Sequence, residues 1–350
     1  ATFSACGDLH LGAFSDMKDV SATMFVIQNS QLGNNSSIFV RPVPKQDIRR
    51  DQFQVAKNID GLISRERTYR FPQERFADIP GSPMIYWWPE EFRQAYLKAK
   101  KLRQVSHIKQ GMATADNERF SRVLWEIPME SIDLGELSQE DFNWAPYIKG
   151  SAGKRWFESC TDLVKWKNNG SELANFPRAY IKNVNYYFQQ GLAFSYIGTN
   201  GFLCRLRKYK SIFDVQGSSI FCDNPEKMQV LLSSNVSGYV SQSFNPTIAN
   251  QVGDIANLPV FDYLSDWKQY LDRARALYDE LFASTETNIE YRYRFMESEY
   301  FEVEEARIRD EIDKEILARF SAETRKAIYD EIGESPFDYP VTDTVPDDFT

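Results

Sequence analysis

Short apolar runs separated by turn-forming residues characterise the first hundred positions of the chain. The run VSATMFVIQN at 20–29 is apolar and rich in β-formers, which predicts a buried β-strand. The run SIFVRPV at 37–43 predicts a second strand, and the sequence NNS at 34–36 predicts a hairpin loop between the two. A helix is expected over 90–104, so we place a first domain boundary near residues 95–105.

The pattern changes between residue 105 and about residue 262, where short β-rich segments alternate with turns of Gly, Asn and Ser. One helix is predicted over 224–242. Asp223 or Asn224 would cap it, and Pro225 lies in its first turn, where a missing backbone N–H costs nothing. This combination predicts a domain of mixed α/β structure.

From residue 264 the apolar positions follow a helical period. The segment 265–284 has apolar residues every three or four positions and Ser265 as its expected cap. Further helices are predicted over about 286–309 and over 313–333, the last closed by Gly333.

The predicted fold is therefore mixed α/β with a helical C-terminal region, and it divides into four parts. Residues 1–95 form a first domain and connector, 96–262 the mixed α/β domain, 263–335 a helical spacer or docking region, and 336–350 a tail. The tail is rich in proline and acidic residues, which predicts disorder.

Composition narrows the class of protein. With 42% hydrophobic and 26% charged residues, no apolar stretch long enough to cross a membrane and no signal peptide, we expect a cytoplasmic protein without membrane contact. The four cysteines are widely separated, which argues for reduced thiols and against a zinc ribbon. Two histidines, His10 and His107, are too few for a histidine-based metal site or a Ser-His-Asp triad, so no metal is expected.

The net charge of −9 hides a local excess of positive charge. Residues 149–210 carry eleven Lys and Arg against three acidic residues, whereas residues 264–350 carry eleven against twenty-three. A basic region within an acidic protein indicates a local partner of negative charge, such as nucleic acid.

Four motifs in order resemble a known family. They are HIKQGMATADNERFSRVLWEI at 107–127, NWAPYIKGSAGKRWFES at 143–159, WKNNGSELANFP at 166–177 and FNPTIANQVGDIANLPV at 244–260. The first and last resemble the opening and closing signatures of target-recognition domains in specificity subunits of type I restriction enzymes. All four are similar to the large adenine-specific DNA methyltransferases of BREX phage-defence systems, of the PglX type.

That resemblance implies that methyl transfer and DNA recognition are carried out by different parts of a longer protein. The segment 12–30 resembles the last strand pair of the methyltransferase domain, which would make residues 1–95 its end. The catalytic Asn-Pro-Pro-Tyr/Phe motif is absent, because Asn224-Pro225 and Asn245-Pro246 are followed by the wrong residues. The Gly-rich loop for S-adenosylmethionine is absent too. We therefore expect the catalytic motif to lie upstream. This chain alone should have no catalytic residue, bind no cofactor and transfer no methyl group, whereas the intact parent should bind S-adenosylmethionine.

Sequence-specific binding to double-stranded DNA is the function that the resemblance implies for residues 96–262. It needs cations for phosphates and amide, hydroxyl or guanidinium groups for base edges. The candidate residues for base reading lie in the first motif, and those for phosphate contact follow it. They are Lys109, Thr114, Asn117, Arg119, Arg122, Lys149, Lys154, Arg155, Lys182, Arg205, Arg207, Lys208 and Lys210.

Each group also has a purely structural interpretation. Thr114 and Asn117 are residue types that cap turns. Lys149–Arg155 would be a solvated turn in this interpretation. Arg205, Arg207 and Lys210 would lie on the solvent-exposed face of an ordinary strand, since they alternate with apolar residues.

Two other functions fit the sequence. The first is a protein-interaction scaffold of a defence complex, with other phage-defence proteins as partners of the acidic helices and little DNA binding. The second is an unrelated α/β enzyme such as a glycosidase, suggested by abundant aromatic residues and carboxylates. The carboxylates cluster in the helical region, which disfavours a catalytic cleft.

Overall fold

A computed structural model describes residues 2–10, 13, 21–29, 36–43, 52–134, 142–150, 155–197, 202–247 and 249–333. Contacts divide the chain into two compact units, the first drawn from Ala1–Phe92 and Phe320–Thr350 and the second from Arg93–Arg319. The predicted mixed α/β fold is confirmed, because the described residues form three mixed sheets and several helices, including a C-terminal helical region.

Strands and helices are numbered in chain order. The strands are β1 (Thr2–His10), β2 (Ala22–Gln28), β3 (Ser37–Val40), β4 (Thr68–Phe71), β5 (His107–Lys109), β6 (Ser121–Val123), β7 (Trp144–Ile148), β8 (Trp156–Glu158), β9 (Asp162–Lys165), β10 (Leu192–Phe194), β11 (Cys204–Arg207), β12 (Ile212–Phe213) and β13 (Ser219–Phe221). The helices are α1 (Gln52–Ser64), α2 (Glu90–Lys98), α3 (Leu102–Val105), α4 (Asn117–Phe120), α5 (Lys167–Ala174), α6 (Pro225–Leu232), α7 (Asn235–Phe244), α8 (Val252–Ile255), α9 (Trp267–Ser284), α10 (Ser298–Leu317) and α11 (Ala322–Ile332).

The first unit is built on a four-stranded sheet of order β2-β1-β3-β4. Strand β1 pairs antiparallel with β2 and parallel with β3, and β3 pairs antiparallel with β4. The predicted hairpin at 34–36 is therefore wrong, because β1 lies between the two strands that this loop would join. Aromatic side chains fill the core, where the ring of Phe39 stacks on that of Tyr86 with centroids 4.3 Å apart.

Strand β2 is apolar and exposed. Its side chains Met24, Phe25, Val26 and Ile27 are 50–60% exposed, and β2 lies at one edge of its sheet. A strand was predicted at 20–29 and is present, but the prediction that it is buried is wrong. Because consecutive strand residues point to opposite faces, apolar side chains meet solvent on both faces of β2 in the part of the chain described here.

The second unit contains the other two sheets, of order β5-β13-β10-β11-β8 and β12-β7-β9-β6. The pairs β8–β11 and β7–β12 are parallel, and their neighbours in each sheet are antiparallel. A large aromatic cluster forms the core of this unit, with Phe120, Tyr147, Trp166, Phe213 and Phe221 all buried.

The single helix predicted over 224–242 is two helices, α6 and α7. Asn224 caps α6, as expected, by accepting a hydrogen bond from the backbone N–H of Lys227. The hydroxyl of Ser234 accepts from the N–H of Ser237 and starts α7. A cap in the middle of the apolar pattern therefore divides the segment, as local side-chain hydrogen bonds of serine often do.

The C-terminal helices differ from their predicted bounds. Asp266, rather than Ser265, caps α9 by accepting from the N–H of Lys268. Helix α10 runs through the gap predicted between 309 and 313, and α11 ends at Gly333, as predicted. Helices α9 and α10 belong to the second unit and α11 to the first. The predicted tail at 336–350 lies outside the described residues.

Two features, a membrane-spanning helix and a metal-binding cluster, are absent from the described residues. None of their helices is long and apolar enough to cross a membrane. They also contain no cluster of His, Cys, Asp and Glu side chains suited to holding a metal ion.

Candidate nucleic-acid interface

The loop that precedes α4 is held by its own polar side chains. The Thr114 hydroxyl donates to Oδ1 of Asn117 at 2.6 Å, and Asp116 caps α4 by accepting from the N–H of Arg119. Thr114 is only 3% exposed, because backbone hydrogen bonds tie the adjacent Ala113 to Tyr180. Thr114 is therefore hidden from solvent, whereas Asn117 faces solvent.

Arg119 lies at the exposed end of α4 and shares an acid with a lysine that the sequence did not single out. Its guanidinium pairs with Glu172 at 3.0 Å, and Nζ of Lys165 reaches the same carboxylate at 2.7 Å. Hydrogen bonds from Lys165 and Arg119 lower the pKa of Glu172. One acid between two cations leaves an excess of positive charge at this point of the surface.

Aromatic rings connect Arg119 to further cations. The guanidinium groups of Arg119 and Arg178 lie 5.4 and 5.3 Å from the centroid of the Phe176 ring. Nζ of Lys182 lies 5.2 Å from the ring of Tyr180, which is 60% exposed. Cations placed over ring faces are stabilised by the ring quadrupole, which helps to hold these side chains in position.

Gln110 holds the next part of this surface. Its side-chain oxygen accepts from Nζ of Lys182 at 2.6 Å, and its backbone oxygen accepts from the amide of Asn183 at 2.9 Å. Nζ of Lys109 lies 5.2 Å from the ring of Tyr186. We call the resulting set the basic strip, and it consists of Lys109, Arg119, Lys165, Lys167, Arg178 and Lys182.

The strip contains both predicted and unpredicted residues. Lys109, Arg119 and Lys182 were candidates from the sequence. Lys165, Lys167 and Arg178 were not, although they contribute to the positive excess of 149–210. Arg178 and Lys167 face solvent, and Lys165 is 38% exposed. The regional charge was the one sequence signal that included them.

A second group of candidate cations is neutralised within the fold. Lys149 pairs with Asp162 at 3.0 Å, and Arg155 pairs with Glu305 of α10 at 3.1 Å. Lys208 pairs with Asp279 of α9 and with Glu290. Burial alone would lower the pKa of Lys208, but these two hydrogen bonds raise it. The positive excess of 149–210 and the negative excess of the C-terminal region therefore partly cancel each other.

Arg205 and Arg207 are buried, at 0% and 2% exposure. Arg205 forms a hydrogen-bonded ion pair with Glu158. Arg207 donates to the backbone oxygen of Gln189 at 2.6 Å, and burial lowers the pKa of its guanidinium. The interpretation as the solvent-exposed face of a strand is wrong for these two residues, because all four side chains of β11 are buried, and the same burial leaves neither guanidinium open to a DNA phosphate.

The remaining candidates differ in accessibility. Arg122 is half-buried and donates to the backbone oxygens of Glu118 and Ser121. Lys210 is exposed. Lys154 lies outside the described residues.

The two Asn-Pro dipeptides have structural roles in the second unit. The amide of Asn245 donates to Asp254 at 2.9 Å, and its Oδ1 accepts from the hydroxyl of Thr247 at 2.6 Å. Asn224 is the cap of α6. The side chains of both asparagines are therefore engaged in local hydrogen bonds, one in a turn and the other in a helix cap.

The glycine of the first motif is required by a close backbone approach. A Cβ atom on Gly111 would lie 1.9 Å from the backbone oxygen of Phe213, next to the bond that the N–H of Met112 donates to that oxygen. Any side chain here would separate the first motif from β12. The glycine therefore fixes the base of the loop that carries Asn117 and Arg119.

Comparison with known proteins found no matching family model. The chain is 28% identical to "Adenine-specific methyltransferase BrxX" of Escherichia coli O9:H4 (strain HS), over 81% of its own length and 24% of that protein. It is 27% identical to "Adenine-specific methyltransferase PglX" of Lacticaseibacillus casei (strain Zhang), over 72% of its length and 22% of that protein. The chain thus spans about a quarter of the length of these curated relatives. The predicted resemblance to adenine-specific methyltransferases is confirmed, and the chain is similar to such proteins over most of its length.

Proposed function

We propose that this chain is the DNA-reading part of an adenine-specific DNA methyltransferase that acts in phage defence. The second unit would bind double-stranded DNA and choose the site. Methyl transfer, with S-adenosylmethionine and a flipped adenine, is assigned to another part of a longer protein. Residues 96–262 would form the recognition domain, and the helices beyond them a spacer or docking region.

The observation that carries this proposal is the basic strip. Its cations are exposed or half-buried, four of them lie over aromatic rings, and Glu172 is the acid that pairs with Arg119 and Lys165. Lys149, Arg155 and Lys208, elsewhere in the region, pair with acids: Lys149 with Asp162, Arg155 with Glu305, and Lys208 with Asp279 and Glu290. Positive charge is therefore concentrated on one surface despite the net −9, as phosphate binding requires.

The similarity to two adenine-specific methyltransferases supports the same proposal, since an enzyme that modifies adenine at chosen sites needs a part that reads sequence. Thr114, Arg205 and Arg207 are removed from the proposed contact set because they are buried. Asn117 and Arg122 remain in it, while Lys149, Arg155 and Lys208 are proposed to stabilise the fold through their ion pairs.

Fluorescence anisotropy with a labelled duplex, measured at low and at physiological salt, tests the proposal. We expect binding at low salt that weakens steeply as salt rises, with a log–log slope of at most about −5 if all six cations of the strip neutralise phosphates. No binding at low salt would contradict the proposal, and so would binding with a slope near zero.

A specific observation favours the protein-interaction scaffold as a second candidate. Tyr293 and Phe295, between α9 and α10, are 90% and 86% exposed, and exposed aromatic side chains are typical of protein interfaces. The same titration separates the two functions. A scaffold would not bind the duplex at low salt, and replacing Tyr293 and Phe295 by Ser would not alter the duplex affinity of a DNA-reading chain.

A further inference from the structure

The segment that opens α5 is a left-handed turn. Asn168, Asn169 and Gly170 have φ and ψ of 52° and 50°, 55° and 36°, and 72° and 24°, three consecutive residues in the left-handed helical region. Glycine adopts this conformation readily, and asparagine does so more easily than other residues, but runs of it are uncommon. A backbone of this kind persists only where its surroundings hold it in place.

Trp166 holds the turn. Its backbone N–H donates to the oxygen of Asn143 at 2.8 Å, and its own oxygen accepts from the N–H of Gly170 at 3.0 Å. Its ring is buried against Tyr187, with centroids 5.6 Å apart. A Cβ on Gly170 would lie 2.6 Å from that ring, so only glycine lets the turn close on the indole. The turn therefore has a rigid base in the core of the second unit.

The turn presents two amide side chains to solvent. Asn168 and Asn169 are both exposed, and within the described residues neither amide has a hydrogen-bond partner. By contrast, the amide of Asn175, at the other end of α5, donates to the backbone oxygen of Ser171 at 2.9 Å. A carboxamide offers a donor and an acceptor side by side, which matches the N6 and N7 positions on the major-groove edge of adenine.

Cations of the basic strip flank the turn. Lys165 and Lys167 are on its N-terminal side, and Glu172, just after it, pairs with Lys165 and with Arg119 of the first motif. These contacts join the turn to the strip. Phosphate-binding cations around a rigid, exposed pair of amides are the arrangement expected of an element that reads base edges while its neighbours fix the register.

We propose that the turn Asn168–Gly170 is the base-reading element of the second unit, with Asn168 and Asn169 contacting adenine in the major groove of the recognised site. This proposal rests on the proposed DNA-binding function. It assigns sequence reading to the left-handed turn, while Arg119, Lys165 and Arg178 contact phosphates and set the orientation.

Selection from a pool of random duplexes tests the assignment. The 350-residue chain is incubated with the pool, and the retained DNA is sequenced. The same is done with a variant that combines Asn168→Gly and Asn169→Gly, which removes both amides and keeps a residue that adopts positive φ. Asn175→Gly is the matched control, since it removes an exposed amide of the same helix that is already engaged with the protein.

The unsubstituted chain and the Asn175→Gly control are expected to enrich one motif that contains adenine. In the double variant the preference at one or two adenine positions should fall about tenfold or more. Its anisotropy titration with a random duplex should keep the same salt slope, and its thermal unfolding midpoint should match that of the control. An unchanged motif in the double variant overturns the assignment alone. If the unsubstituted chain retains no DNA, the proposed function fails, and the assignment fails with it.

Discussion

The guanidinium of Arg205 and the carboxylate of Glu158 form a buried ion pair between the parallel strands β11 and β8. The hydroxyl of Ser195 also accepts from Arg205, at 3.2 Å. Removing water from two charges is unfavourable, and the pair is stable only because each charge compensates the other. The pair therefore ties the sheet together at a position where either residue alone would be strongly unfavourable.

Glu158→Gln is expected to lower the free energy of unfolding by roughly 3–5 kcal/mol, because it leaves the guanidinium buried without its counter-charge. Urea denaturation followed by circular dichroism measures this value. Glu172→Gln, at an exposed ion pair, is the control and should leave the stability nearly unchanged. Equal effects of the two substitutions would contradict the structural role of Arg205.

DNA binding should depend on the basic strip and be independent of the neutralised cations. Arg178→Ala is expected to weaken duplex binding and to reduce the salt slope by about one, because one phosphate contact is lost. Lys208→Ala is the control, since Lys208 is paired with Asp279 and Glu290. Anisotropy titrations over a range of salt concentrations measure both. If the salt slope decreased for Lys208→Ala and stayed the same for Arg178→Ala, the interface would lie on the cations that are paired with acids and not on the basic strip.

Gly111 is expected to tolerate no side chain. Gly111→Ala brings a methyl group onto the backbone of Phe213, and since backbone cannot rotate away, the loss of stability should be about 3 kcal/mol or more. Gly253→Ala provides the comparison, because a Cβ there meets no atom within 4 Å. Chemical denaturation of the two variants should give a large loss for the first and little change for the second. Similar stability of both variants would argue against the close contact between the first motif and β12.

Asp313 makes stability depend on pH. Its carboxylate accepts hydrogen bonds from the amide of Asn235 at 2.7 Å and from the N–H of Val236 at 3.2 Å. Burial outweighs these bonds and the nearby Arg309, and it raises the pKa of Asp313 to about 7. The folded state then holds a proton that the unfolded state releases near pH 4. The contribution of Asp313 to stability is full below that pH and is lost as the pH rises towards 7.

Asp313→Asn should remove this dependence. The unfolding free energy of the variant minus that of the unsubstituted chain is expected to increase from pH 4 to pH 7 and to stay constant above pH 7. Denaturation at several pH values measures it. A difference that stays level over this interval would mean that the carboxylate is already ionised in the fold.

The edge strand β2 should make the chain prone to self-association. Met24 and Val26 lie on one face of it and are more than half exposed. Replacing both by Lys is expected to lower the apparent mass at high protein concentration, because charged side chains prevent pairing at a sheet edge. Sedimentation velocity measures this mass. Gln28→Lys adds charge to the same strand without removing apolar area, and a decrease of the same size in that control would make net charge the cause.

The sequence predicted the class of structure better than the exposure of particular residues. Apolar runs predicted β2 and β3 because strand formation depends on local residue types. The exposure of β2 depends on its place at the sheet edge, which no local pattern encodes. The alternation of Arg205, Leu206 and Arg207 predicted a half-exposed strand, yet Glu158, far away in the sequence, lets a guanidinium lie in the interior.

The candidate interface was predicted in part for the same reason. Arg119 and Lys182 lie in or between recognisable motifs and are on the basic strip. Arg178 stands in no charged run, and it joins Arg119 only because both approach the ring of Phe176. Thr114 has the residue type of a base reader, but its burial follows from the pairing of Ala113 with Tyr180. Contacts between distant segments decided each of these outcomes.

The carboxylate of Glu331, in α11, is shared by Arg41 and Arg67, so the first unit is assembled from both ends of the chain. A ribosome must therefore complete the whole of the second unit before it delivers the acid that these arginines bind. The second unit, which lies between the two segments of the first in the sequence, can therefore fold first during translation. A premature stop before Phe320 would leave the residues of the basic strip in the chain. It would remove the Glu331 carboxylate, which pairs with Arg41 just after β3 and with Arg67 just before β4, so truncation would damage the first unit.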